Sequence, residues 1–176
     1  SSPLVRALAL PPGLDMVAVL ADGMGGHAAG DVASMTACGT FLQAISAESS
    51  NAAILEAISD RLTHALDAAN SAIRLKSDAN AALAGMGATL VGLILSNGKA
   101  EWVSVGDSPL FIWRAGDMVR LNQDHSLSPL LDQLVAQGKM TREEAETDPR
   151  RHYLRSALTG EDLELVDLAD TPLSLL

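Results

Sequence analysis

Cysteine is nearly absent: a single one, Cys38, stands in 176 residues. No intrachain disulfide is possible, so stability must come from packing, and this usage fits a reducing compartment. Long hydrophobic runs are also missing, since nothing approaches the roughly 20 apolar residues of a membrane-crossing helix. The stretch Leu4 to Leu10 is broken by Arg6 and has no cleavage pattern of a secretory signal. Positive charge is scarce. Lys and Arg number 12 against 22 Asp and Glu, a formal net charge of −10. This disfavours a nucleic-acid or anionic-membrane surface and suits the collection of divalent cations or simple solubility. No internal repeat is present and no low-complexity segment beyond richness in alanine. A cytoplasmic domain is expected, with no nucleic-acid partner and no membrane segment in this chain.

The chain does have 48% hydrophobic residues, enough for one domain with a real core. Val32 to Ser46 reads as a helix. A second, longer helix is expected over Asn51 to Asp78, where Ile54, Leu55, Ile58, Leu62, Leu66, Ala69 and Ile73 recur at spacings of one, three and four. From Gly87 the pattern changes. Ala88 to Leu95 is a continuous apolar run that suits a strand buried on both faces, and Ser96-Asn97-Gly98-Lys99 is a hairpin turn. Strands are expected at Ala100 to Val105, Pro109 to Arg114 and Met118 to Leu121. Such short connections force antiparallel neighbours, because a parallel return needs about a dozen residues. The class is therefore α+β, helices packed on antiparallel sheet. Residues 124–160 are polar, with Pro129 and Pro149, and two or three short helical stretches are expected there, around Pro129 to Gln137, Thr141 to Glu146 and His152 to Leu158. Thr141-Arg142-Glu143-Glu144 is a capping box. An excursion of this kind reads as a flap or lid. Glu161 to Leu168 resumes strand-like alternation.

Two aspartates stand at strand ends beside glycine. Asp22-Gly23-Met24-Gly25-Gly26-His27 follows the apolar run Met16 to Ala21, and Val105-Gly106-Asp107-Ser108-Pro109-Leu110 follows a later strand. A carboxylate at the end of a buried strand is rigid, and glycines let backbone carbonyls and an ion approach closely. Metal binding is one reading; a tight strand-to-helix turn with Asp22 as a helix N-cap is the other. Gly23 to Ala28 also satisfies a loose dinucleotide fingerprint. That reading ranks lower, because Asp22 would repel a pyrophosphate and a further helical segment stands where the second parallel strand is required.

Taken together, Val19-Leu20-Ala21-Asp22-Gly23-Met24-Gly25-Gly26-His27, Gly87-Ala88-Thr89-Leu90, Val105-Gly106-Asp107-Ser108 and Asp124-His125-Ser126 resemble the metal-dependent protein serine/threonine phosphatases (PPM, or type 2C) in their bacterial form. The resemblance runs from about Met16 to the end of the chain. It implies a four-layer αββα sandwich of two antiparallel sheets flanked by helices, and a single domain over residues 1–176 with a flap at 124–160. It also implies two Mn²⁺ or Mg²⁺ ions. Asp22 would bridge both, the Gly23 carbonyl would ligate one, and Asp107 would serve a loosely held third. The implied reaction is hydrolysis of phosphoserine or phosphothreonine by a metal-activated water, on a phosphoprotein substrate served by a cognate Ser/Thr kinase. His27 matches a general acid of some members, whose turn is the shorter Asp-Gly-His; a structural hydrogen bond is the other role open to it. Asp124-His125-Ser126 is expected to hold the flap base by hydrogen bonds. Arg150, Arg151 and Arg155 either meet a phosphopeptide or solvate the surface.

The family's N-terminal acidic motif, with its phosphate-binding arginine, has no match in Ser1 to Asp15, so Arg6 takes no such role. Its two later motifs, Ser-Asp-Gly and Asp-Asn, have no match after Leu165. On this ground the chain is expected to be an incomplete catalytic domain, with Leu173-Ser174-Leu175-Leu176 an apolar end. The alternative class is a non-catalytic pseudophosphatase-like module that binds a kinase or signalling partner.

Overall fold

Alanine and small residues let two helices sit close to each other and to a sheet, and that contact builds the core. A computed structural model describes residues 10–47 and 57–175, without the side chain of His27. The first strand, β1 (Met16–Leu20), leads through β2 (Gly23–Met24) into α1 (His27–Ala47), and α2 (Ile58–Ala79) follows. Ala29, Ala33, Ala37, Phe41 and Ile45 recur every four residues on α1, one face of a helix, and all are buried. On α2 the matching face is Leu62, Ala65, Leu66, Ala69 and Ile73. Arg61, near the start of α2, donates to the Ile45 carbonyl near the end of α1, so the helices run antiparallel.

Then come β3 (Gly87–Ala88), β4 (Leu90–Ser96), β5 (Lys99–Val105), β6 (Phe111–Arg114) and β7 (Asp117–Arg120). After them lie α3 (Ser128–Ala136), α4 (Arg142–Thr147), β8 (Asp167–Leu168) and β9 (Leu173–Ser174). Every strand pair is antiparallel. The main sheet runs β1-β4-β5-β8, with β9 also on β5; β2 pairs β3, and β6 pairs β7. The α+β class with antiparallel sheets is the one expected.

Side-chain alternation fixes which face meets the helices. Leu90 and Ile94 of β4 and Val103 and Val105 of β5 join the core, and a Cβ on Gly92 would stand 2.3 Å from the Phe41 ring. Glycine at 92 is therefore what lets the tip of the Phe41 ring reach the sheet. The opposite face carries Ser104, whose Oγ accepts from Asn122 Nδ2 at 3.0 Å; this ties the β6–β7 hairpin to the side away from the helices. Asn97 (φ 52°) and Gly98 (φ 71°) are both left-handed, the geometry of a tight two-residue turn between β4 and β5.

Five expectations change. The first helix starts five residues earlier than Val32, at His27, because Gly26 O accepts from Gly30 N at 2.8 Å and opens the first turn. For the second, residues 51–56 lie outside the described residues, and the helix occupies Ile58–Ala79. The run Ala88 to Leu95 is two strands, because Thr89 turns inward and the chain changes partner there. His152 to Leu158 is not helical: Ser126 and Leu154 form an isolated bridge, as do Ala88 and Leu158. Of Glu161 to Leu168 only Asp167–Leu168 pairs as strand. Its alternation is answered instead by loop contacts, such as Ser156 Oγ to Leu165 O at 2.8 Å. The capping box at Thr141 and Glu144 is formed in both directions.

Candidate functional site

Asp22 lies just past the end of β1, and Asp107 two residues past the end of β5. Thr89 connects the two loops. Its Oγ1 accepts from the Asp22 amide at 3.1 Å and lies 2.7 Å from Ser108 Oγ, while its own N–H donates to the Asp22 carbonyl at 2.9 Å. Asp22 is therefore gripped by both of its backbone groups. It is not a helix cap, since the first helical bond comes from Gly26, four residues on.

The turn after Asp22 is a close approach of two backbones. A Cβ on Gly23 would stand 1.9 Å from the Gly30 carbonyl oxygen, and one on Gly30 would stand 2.8 Å from the Gly23 carbonyl oxygen. Only glycine at both positions lets β2 lie against the first turns of α1.

The Asp107 loop is held on every side. Gly106 has φ 100°, and a Cβ there would meet Thr89 Cγ2 at 2.6 Å, so glycine is required on two counts. Gly106 N–H donates to His125 Nδ1 at 3.2 Å, and Gly106 O accepts from His125 N at 3.1 Å. Arg120 Nη2 donates to the Asp107 carbonyl at 3.0 Å, and its Nη1 meets Asp124 Oδ2 at 3.1 Å. Asn122 donates to Ser108 O at 2.9 Å and accepts from Leu110 N at 2.7 Å. His125 carries the chain onward, its carbonyl accepting from Arg155 N at 2.8 Å.

The electrostatics separate held charges from open ones. Burial raises the Asp124 pKa, but bonds from Ser126 and the Arg120 guanidinium outweigh it and leave the carboxyl below its usual range. Burial lowers the His125 pKa; Asp167 and Asp124 oppose this and Arg155 and Arg120 assist it, a direction that agrees with Nδ1 accepting from the Gly106 N–H. Asp132 and Asp148 are bound by Arg151 and Arg150, and Asp167 accepts from Trp102 Nε1. Those two arginines are thus engaged with acids of their own segment. By contrast, neither the Asp22 nor the Asp107 carboxylate meets a donor or a cation among the described residues.

Two carboxylates on rigid loops, without a partner among the described residues, are hard oxygen donors of the kind Mn²⁺ or Mg²⁺ takes. The donors fit such an ion in kind and are few in number. Among the described residues no group of three or more His, Cys, Asp or Glu is gathered to hold a metal. The Gly23 carbonyl lies beside Gly30, and the His27 side chain is outside the described residues. Thr89, Arg120 and Asn122, which position the loops, carried no assigned role in the sequence. The available signal was a polar residue, Thr89, inside an apolar run.

Beside the turn lies an open groove of about 640 Å³, bounded by Met24, Tyr153, Arg155, Ser156, Thr159 and Glu161. No described helix is long and apolar enough to cross a membrane.

Comparison with known proteins bears on this arrangement. The family profile described as protein phosphatase 2C matches residues 7–164. The serine/threonine protein phosphatase PstP of Mycobacterium tuberculosis is 34% identical over 145 residues, which is 82% of this chain and 27% of that protein. The serine/threonine phosphatase stp of Listeria innocua is 34% identical over 156 residues, 89% of this chain and 60% of its own length. The chain thus spans less than two thirds of these relatives. The catalytic domain of PstP solved in complex with two manganese ions superposes with a TM-score of 0.64 at 31% identity, covering 94% of this chain and 68% of that one. With the profile matched over most of its length, the chain belongs to the protein phosphatase 2C family.

Proposed function

We propose that this chain forms part of a phosphoprotein phosphatase that hydrolyses phosphoserine and phosphothreonine esters with the help of Mn²⁺ or Mg²⁺. The observation that supports it most directly is that Asp22 and Asp107, whose carboxylates meet no donor among the described residues, stand on loops joined by one hydroxyl. Family membership and the two manganese ions of the PstP catalytic domain agree with it.

In this reading Asp22 and the Gly23 carbonyl would hold the pair of catalytic ions, and Asp107 a third, weaker one. When bound, such ions would supply Lewis acidity for activating a water and neutralising phosphoryl charge. Asp22 offers two oxygens from a backbone that Thr89 fixes. His27, five residues on, is the candidate donor of a proton to the leaving seryl or threonyl oxygen. The groove beside Met24 receives the peptide around the phosphoresidue, with Arg155 at its wall. Residues 124–160 act as a flap within one domain, its base held through His125. The substrate is a phosphoprotein modified by a cognate Ser/Thr kinase in the cytoplasm.

The second reading is a non-catalytic module that docks a signalling partner, and it rests on the absence of a group of three or more metal-binding side chains among the described residues. The two separate in one assay of the protein carrying this chain. Phosphate release from a phosphothreonine peptide should require Mn²⁺ and be abolished in Asp22→Asn, since an amide cannot bridge two cations with anionic oxygens. Release that is equal in Asp22→Asn and wild type at saturating metal would remove Asp22 from the chemistry. No metal-dependent release from the wild type would favour the docking module.

A further inference from the structure

We infer that Thr89 is a positioning residue whose hydroxyl sets the spacing between the Asp22 and Asp107 loops, so that the two carboxylates act on one ion cluster. The inference rests on the metal site proposed above and assigns a role to a residue outside it.

The geometry carries it. Thr89 sits where the chain leaves the β2–β3 ladder and enters the main sheet, between Ala88, paired with Gly23, and Leu90, paired with Val105. Thr89 is buried at 3% exposure, and its one hydroxyl oxygen bonds two partners that no other side chain joins among the described residues: the Asp22 amide and Ser108 Oγ. Thr89 Oγ1 accepts from the Asp22 N–H and keeps a proton and a second lone pair, so it bonds Ser108 Oγ with either hydroxyl as donor. The bonds run on from the Asp22 amide through Thr89 to Ser108. The Cγ2 methyl packs where a Gly106 Cβ would be, which fixes the rotamer. A serine would keep the hydroxyl and lose this methyl. A valine would keep the shape and lose the hydroxyl, leaving the Asp22 amide without its partner.

Partners that orient metal-binding groups are worth about 10-fold to 100-fold in affinity. The test is an NMR titration of this chain with Mn²⁺, following paramagnetic broadening of the Asp22, Gly23, Asp107 and Ser108 amides, beside thermal unfolding of each variant. In the wild type the Asp22 and Gly23 amides should reach half-broadening at a lower Mn²⁺ concentration than those of Asp107 and Ser108, since Asp107 is assigned the weaker ion. In Thr89→Val the midpoint at both loops should rise about tenfold, whereas Thr89→Ser should stay within about threefold of wild type. Ser108→Ala, which cuts only the second bond, should fall between them; it carries the test if Thr89→Val does not fold.

A Thr89→Val midpoint equal to the wild type, or equal losses in Val and Ser variants, would overturn the role of the hydroxyl while leaving the metal site standing. A Ser108→Ala variant indistinguishable from wild type would overturn the link between loops. Absence of broadening at both loops in the wild type would overturn the metal site itself, and the inference with it.

Discussion

Substituting alanine at two glycines of this chain should shift stability in opposite directions, and the sizes follow from the backbone. At Gly23 the added methyl would lie 1.9 Å from the carbonyl oxygen and 2.5 Å from the carbonyl carbon of Gly30. Normal contact needs an opening of roughly 1 Å or more, and neither atom belongs to a side chain that can rotate away. Overpacking costs about 1–3 kcal/mol, and a backbone-to-backbone clash belongs at the upper end. In a chain of this size each kcal/mol lowers Tm by about 2–4 °C, so Gly23→Ala should lose about 6–12 °C. Gly39, on α1, has nothing within 4 Å of its would-be Cβ. There alanine only removes the entropic penalty of a helical glycine, and Tm should rise by about 1–4 °C. Thermal unfolding followed by circular dichroism reads both. A Gly23→Ala variant within about 2 °C of wild type, or shifts of the same sign at both positions, would refute the close approach of β2 and α1.

Three further outcomes are expected. Asp107→Ala should weaken Mn²⁺ binding less than Asp22→Asn does, because only Asp22 is assigned to the bridged pair; calorimetric titration that ranks them the other way would reverse the assignments. This chain alone should bind Mn²⁺ weakly and turn over little phosphopeptide, since two carboxylates give a second ion little attraction against repulsion from the first; tight two-site binding would show that further ligands are present. His125 is buried neutral, with a folded pKa below its ordinary 6.5, so the unfolded chain takes up a proton first and wild-type stability should fall as pH drops below about 6.5. His125→Asn keeps an acceptor near Nδ1 and cannot titrate there, so its urea midpoint should be flatter over that window; parallel profiles would place the acid sensitivity elsewhere.

Periodicity made the helix pair and the antiparallel meander legible, because burial of one face leaves a pattern in the residues themselves. Asp22 and Asp107 were visible for a similar reason: an acid beside glycine at a strand end has few structural uses. The link between them was not visible. Thr89 lies inside an apolar run, and nothing local says that its hydroxyl meets two loops 67 and 19 residues away. Gly30 looked like one more small residue in an alanine-rich helix until the fold set it against Gly23. His152 to Leu158 has helix-forming residues, yet Ala88 and His125 claim its backbone groups for bridges to the sheet side. Tertiary pairing outweighed local preference there.

The hydrogen bonds at His125 and Leu127 also bear on how this fold can vary. Leu127 N donates to Tyr153 O at 3.0 Å and Arg155 N to His125 O at 2.8 Å, so the excursion between them leaves and rejoins the body at a single pinched neck. Those bonds fix where the segment over residues 128–152 leaves and rejoins the body, whatever its length. Lengthening a closed loop is cheap, about 0.6 kcal/mol for each doubling. The excursion can therefore be exchanged as a cassette, altering what is recognised at its outer surface while the spacing of Asp22 and Asp107 stays as it is.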